Sequence, residues 1–181
     1  MEVRFIYFFP RSAPVTGATG LMDCDCWFRG SEDSTGDSFV LGVRTPVTSL
    51  CPCSKEISDY GAHNQRGFIT IEVESTRCED ERPALIWIEE LIEWAEAAGP
   101  CPVYPVLERP DERHVTMQAY DNPVFVEDMV RRVTVCLGAD PRVANYLIQA
   151  ALAEFTELAE SLQWNSGAGH GFVGEEAFPL V

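Results

Sequence analysis

Apolar and polar residues alternate along the first part of the chain with the period of two that a half-buried strand requires. Residues 3–9 are rich in β-branched and aromatic side chains and predict a buried strand. Residues 10–20 hold two prolines and two glycines and predict a connection. In 22–29, Met22, Cys24, Cys26 and Phe28 share one face, with Asp23 and Asp25 on the other. That strand turns two cysteines toward a core, where free cysteine behaves as a small hydrophobe. The polar run 31–38, SEDSTGDS, predicts a turn or hairpin loop, and 39–47 predicts a further strand. In 68–73, Ile69, Ile71 and Val73 stand opposite Phe68, Thr70 and Glu72.

The spacing then becomes helical. Residues 83–98 carry Leu85, Ile88, Leu91, Ile92 and Ala95 as a stripe, with Glu89, Glu90, Glu93 and Glu96 facing out. Pro83 suits the first turn and Gly99-Pro100 stops the helix. Proline-rich 100–113 predicts a loop, and 114–120 a short helix. Asn122 and Pro123 open a second long helix that runs to Leu137, with Gly138 as its cap. Its buried side is expected to hold Phe125, Met129, Val133 and Cys136 or Leu137. Alanine-rich 146–162 has helical spacing. The glycine-rich end, 165–181, has no period and is expected to be mobile. Strands followed by helices, joined by short connections, indicate the α+β class.

Composition changes this picture in one respect. The 181 residues are 46% apolar and 23% charged, which is ordinary, but the net charge is −16. Lys55 is the single lysine among 13 basic residues. Such a surface repels nucleic acid and anionic membranes, so neither is an expected partner. No apolar run nears the roughly 20 residues needed to span a bilayer. The seven cysteines are odd in number, and the apolar start is broken by Glu2 and Arg4, unlike a leader peptide. A reducing cytoplasm is the expected setting, with cysteines serving as core residues or metal ligands.

The chemistry concentrates in 45–67. Cys51 and Cys53 stand one residue apart, and His63 follows. A short helical turn over 54–60, ended by Gly61, would let His63 fold back toward Cys51. Thiolate and imidazole suit a borderline divalent metal, but two structural cysteines and a surface histidine would read the same way.

The literal string PVTSLCPCSKEISDYGAHNQR (46–66) closely resembles the signature of the type IB GTP cyclohydrolases, a family that includes archaeal metal-dependent enzymes. The likeness continues in WIEELIE (87–93), CPVYPVLERPDE (101–112) and NPVFVEDMVR (122–131), and covers roughly 1–146. The resemblance implies a tunnelling fold, in which antiparallel sheets backed by paired helices assemble into barrels with sites between subunits. It implies a homotetramer acting on GTP: metal-dependent hydrolytic opening of the imidazole ring at C8, with formate release. The product would be 7,8-dihydroneopterin triphosphate, or its cyclic phosphate, for folate and pterin biosynthesis.

Carried over residue by residue, the resemblance makes Cys51, His63 and Glu112 ligands of a divalent manganese, iron or zinc ion, with Cys53 beside it. Glu127 would grip the guanine, so that Cys51 and Glu127 are the candidate catalytic residues. Lys55 and Arg66 would bind triphosphate oxygens, the alternative being hydrogen bonds that stabilise the fold. Glu112 also reads as a helix-start acid, and Glu127 as a partner of Arg131. His114 has no role beyond the surface.

The resemblance stops at both ends. Family members carry a further stretch before the equivalent of Val3, so 1–48 would be the remainder of a first tunnelling-fold module. Residues 49–162 would be a second module holding the site, and 163–181 a mobile tail. Family members also finish on a strand with an ESIHNH-like motif whose glutamate and histidine act on the substrate. The aligned region here is ALAEFTELAESL (151–162), with Glu154 near the glutamate position and Glu157 where the histidine is expected. Two classes of function follow: an enzyme, or a catalytically impaired subunit that binds purine or metal. Scattered cysteine spacing outside 51–53 argues against a metal-buffering or redox protein.

Overall fold

A computed structural model describes residues 1–33, 36–59, 65–78, 82–152, 161–165 and 170–171. Among these, the strands form one antiparallel sheet whose spatial order is the chain order. They are β1 (Glu2–Ser12), β2 (Thr19–Asp33), β3 (Gly36–Ser49), β4 (Gln65–Ser75), β5 (Val143–Leu152), β6 (Ser161–Asn165) and β7 (His170–Gly171). A short helix, α1 (Pro52–Ile57), joins β3 to β4. Between β4 and β5 lie α2 (Ile88–Ala98), α3 (Arg109–Asp121) and α4 (Val126–Ala139). The α+β class expected from the pattern is the class observed.

The core forms where α2 and α4 cover one face of β3, β4 and β5. Register places Val43 opposite Ile71 and Ile71 opposite Ile148, all fully buried. Leu91 and Ile92 of α2 and Met129, Val133 and Leu137 of α4 close over them. Each such side chain contributes about 1.5–3 kcal/mol by leaving water. Cys24 and Cys26 face this core as expected, buried with their Sγ atoms 3.5 Å apart. On the opposite sheet face the Trp27 indole lies against Gly42, where a Cβ would come within 2.0 Å of its Cε2. Its Nε1–H donates to Glu72 at 3.0 Å. The Arg44 guanidinium stacks 3.8 Å from the centroid of Phe68. No helix among the described residues is long and apolar enough to cross a membrane.

Several expectations are corrected. β1 is a strand but not a buried one: it ends the sheet, and Ile6 and Phe8 are more than half exposed. The polar run 31–38 belongs largely to the ladder, with Ser31 opposite Ser38 and Asp33 opposite Gly36; residues 34–35 lie outside the described set. The helix expected from 83 starts at Ile88, because Pro83 is bridged to Arg77 and Leu85 is turned to solvent. Glu96 is buried against Arg11 rather than facing out.

Proline misled twice in the next segment. Pro110 occupies the first turn of α3, so the helix starts at Arg109, inside the expected loop. α4 starts at Val126 with Phe125 as its cap, while Asn122 ends α3 and donates to the carbonyl of Pro100. Phe125 is therefore exposed; Met129, Val133 and Leu137 are buried as expected. The helix expected from 146 is strand β5 up to Leu152. Tyr146, Ile148 and Ala150 alternate inward with a period of two, and pairing with β4 outweighs the helix preference of alanine. Residues 153–160 lie outside the described set. Of the expected mobile tail, Asn165 belongs to β6 and His170–Gly171 form β7; the other tail residues lie outside it.

Candidate functional site

The β3–β4 ladder ends at Ser49 opposite Gln65, and the motif begins where these two strands part. Cys51 is the N-cap of α1, with extended backbone, and Pro52 supplies the first helical position. The Lys55 N–H donates to the Cys51 carbonyl at 3.1 Å, so the turn starts two residues before the expected 54. Cys51 is half-buried and Cys53 exposed. Residual desolvation, then the neighbouring Cys51, push the Cys53 thiol above its ordinary value.

Three contacts lock this segment to the helical layer. The Leu50 carbonyl accepts the Val124 N–H at 3.2 Å, which draws the CPC segment to the residues just before α4. Leu50 packs with Cys101, Val115 and Ala119. The Lys55 ammonium donates to the Tyr120 carbonyl and stands 3.8 Å from the centre of that ring. Cys101 is fixed in turn by Thr48, whose hydroxyl donates to its carbonyl and accepts its N–H.

Glu112 occupies the first turn of α3, where a carboxylate favours the helix dipole. It is half-exposed and paired with Arg109 at 2.9 Å. Eight residues separate it from Tyr120, about 12 Å along the axis, so Glu112 and the Lys55 contact lie at opposite ends of α3. Glu127 is exposed in the first turn of α4, and Arg131 pairs with Asp128 at 2.5 Å rather than with Glu127. Arg66 is exposed on β4, opposite Thr48. His114 is exposed on α3.

The CPC segment and the approach to Glu127 are thus brought together, and no side-chain hydrogen bond or ion pair among the described residues links Glu112 or Arg66 to them. His63 lies outside the described residues. Among those described, no three His, Cys, Asp or Glu side chains stand close enough to hold a metal ion. The two described donors, one thiolate and one carboxylate, suit a borderline divalent cation by their chemistry.

Sequence reasoning missed Asp111. Its carboxylate is fully buried and accepts the Thr16 hydroxyl at 2.6 Å, the Thr16 N–H at 3.0 Å, the Val15 N–H at 2.9 Å and the Glu108 N–H at 3.0 Å. Burial raises its pKa, but these four donors prevail and hold it below the ordinary carboxylate range. The available signal was local: Asp111 is the N3 acid after Glu108, where a capping-box partner belongs.

The described type I GTP cyclohydrolase folE2 profile matches residues 1–156. GTP cyclohydrolase FolE2 of Geobacter sulfurreducens is 49% identical over 150 residues, covering 83% of this chain and 55% of the relative. The FolE2 protein of Methylococcus capsulatus is 50% identical over 149 residues, covering 82% and 53%. That of Thermotoga neapolitana is 47% identical over 148 residues, covering 82% and 54%. The chain spans about half the length of the curated relatives it matches. The expected resemblance to the type IB family is corrected: the matching family is type I GTP cyclohydrolase folE2. The profile, covering most of the chain, and the CPC signature at the parting of β3 and β4 agree: this chain belongs to the type I GTP cyclohydrolase folE2 family.

Proposed function

We propose that this chain carries the metal and purine site of a GTP cyclohydrolase that opens the imidazole ring of GTP at C8 and releases formate. The product is 7,8-dihydroneopterin triphosphate or its cyclic phosphate, for folate biosynthesis. The observation that carries the reading is the 46–66 stretch, in a chain about half identical to proteins named GTP cyclohydrolase FolE2.

In this reading Cys51, His63 and Glu112 would hold a divalent manganese, iron or zinc ion, which when bound would supply hydroxide at neutral pH. Glu127 accepts the guanine N1–H and amino hydrogens as a bidentate pair, which orients the ring. Arg66 is free to meet triphosphate oxygens from its exposed place on β4, whereas Lys55 must first leave the Tyr120 carbonyl. The finer fold reading is the tunnelling fold assembled as a barrel-forming homotetramer. The outer edge of β1, eleven residues long and without a strand partner among the described residues, supports it, since such an edge favours addition of another strand.

The experiment is formate release from GTP by purified protein supplied with manganese, iron or zinc, alongside Cys51→Ala. Release by the parent chain and its loss in the variant are expected. Unchanged release in the variant removes Cys51 from the site. A second reading, a subunit that binds purine or metal without turnover, is favoured by Glu157 standing where the family histidine is expected. GTP binding without formate under all three metals would select it.

A further inference from the structure

Gln65 is the last β4 residue of the β3–β4 ladder, opposite Ser49 and directly beside the point where the chain runs on to Leu50 and Cys51. Gln65 is 6% exposed and Ser49 2% exposed. The Gln65 Nε2 is buried and has no hydrogen-bond partner among the described residues. Next to it on this sheet face, Gly67 opposes Val47 and offers no side chain that accepts a proton. A buried amide without an acceptor carries the desolvation penalty of its N–H groups in full. The ladder itself does not need that amide, because the backbone groups of β4 make the strand pairing.

Resting on the proposed function above, we propose that Gln65 is a substrate-contacting residue of the same site, its Nε2–H donating to an uncharged acceptor on the purine. The ligand class follows from the donor. A neutral amide held away from water suits a ring nitrogen or a carbonyl oxygen. The charged oxygens of a triphosphate are better matched by the cationic side chains of Lys55 and Arg66. The position follows from the register: Gln65 leads into the same junction from which Cys51 leaves, and Leu50 ties that junction to the start of α4 through Val124. Bound substrate would supply the acceptor that the described residues do not, and its affinity would gain from relief of the buried donor.

A structural role and a ligand role make opposite predictions for Gln65→Met, which keeps the length of the side chain and removes the donor. With a ligand role, the variant melts at or above the temperature of the parent chain, since an unsatisfied buried group is gone. It retains the same metal content after incubation with manganese. GTP binding to the metal-free full chain, measured by calorimetry, weakens about tenfold, the value of one well-placed hydrogen bond. Gln65→Glu, which exchanges the donor for an acceptor, weakens it at least as much. Unchanged GTP affinity in both variants overturns the inference. So does a lower melting temperature with loss of metal in Gln65→Met, which would mean that the amide serves the protein. If the parent chain binds no GTP, the inference and the function it rests on fall together. If the parent chain releases formate while Gln65→Met binds GTP as tightly, only this inference falls.

Discussion

The Thr16 hydroxyl donates to the Asp111 carboxylate at 2.6 Å, joining the connection between β1 and β2 to the first turn of α3. Three backbone N–H groups converge on the same carboxylate. The contact holds in place the helix turn that bears Glu112, and it does so from a segment far away in sequence.

Asp111→Ala should therefore be among the most damaging substitutions outside the apolar core. It leaves several donors without acceptors, at about 2–4 kcal/mol in total. Thr16→Val removes one donor and should cost about 1 kcal/mol. Urea unfolding of the two variants checks the order. Equal midpoints would deny the cluster its structural role.

Gly42→Ala should be poorly tolerated for a different reason. The new methyl meets the Trp27 indole, which is itself pinned to Glu72, so the cost is overpacking of about 1–3 kcal/mol or more. The checks are the melting temperature and the tryptophan emission spectrum. A stable variant with unshifted emission would show that the indole is free to move.

Arg142 contributes to the acid limb of stability. Its hydrogen bonds to Glu90 and Asp140, both at 2.7 Å, outweigh partial desolvation and hold both carboxyls below their ordinary values. Folded values below the unfolded ones mean that this stability is present above about pH 4 and lost as pH falls through the depressed values. Burial acts the other way on Glu96, raising it against the pull of Arg11, so its share is lost as pH rises through the raised value. Arg142→Leu should flatten the decline of melting temperature between about pH 4 and 2. Parallel declines in the two proteins would reject the assignment.

Thiol labelling should divide the cysteines by exposure. Cys53 and Cys78 are exposed and should react first, Cys51 and Cys136 more slowly, and Cys24, Cys26 and Cys101 only on unfolding. Under the proposed function, manganese or zinc protects Cys51 in the folded chain and leaves Cys78 unaffected. Mass spectrometry of labelled peptides reads this directly, and equal labelling of Cys51 with and without metal would count against its role as a ligand.

Under the proposed function, Glu127→Gln should lower kcat/KM for GTP by about 10²–10³-fold, the value of two hydrogen bonds to a charged acceptor. Melting temperature should hardly change, because the side chain is exposed. A loss of less than threefold would remove Glu127 from guanine recognition.

Much of the sheet was legible because period two is a strong signal where one face is buried. Cys24 and Cys26, or Ile69, Ile71 and Val73, declare their face without help from distant partners. β5 did not, since Tyr146, Ile148 and Ala150 fit a helix as well as a strand until β4 lies beside them. Burial of β1 was overestimated because sequence cannot tell a strand at the margin of a sheet from one in its middle. At the site, residue types and their order were readable from the signature, whereas Asp111 owes its environment to Val15 and Thr16, which nothing local announces. The orphan amide of Gln65 is likewise visible only once its surroundings are known.

Because neighbouring strands in space are neighbours in sequence, most of the sheet can assemble by successive short-range hairpins. The exception is the step from Ser75 to Val143, where α2, α3 and α4 intervene. Joining those two strands carries the largest loop-closure entropy and should limit the rate of refolding. The hairpins of β1 to β4 can therefore form before β5 docks, and until it does the β4 edge that pairs with β5 stays open.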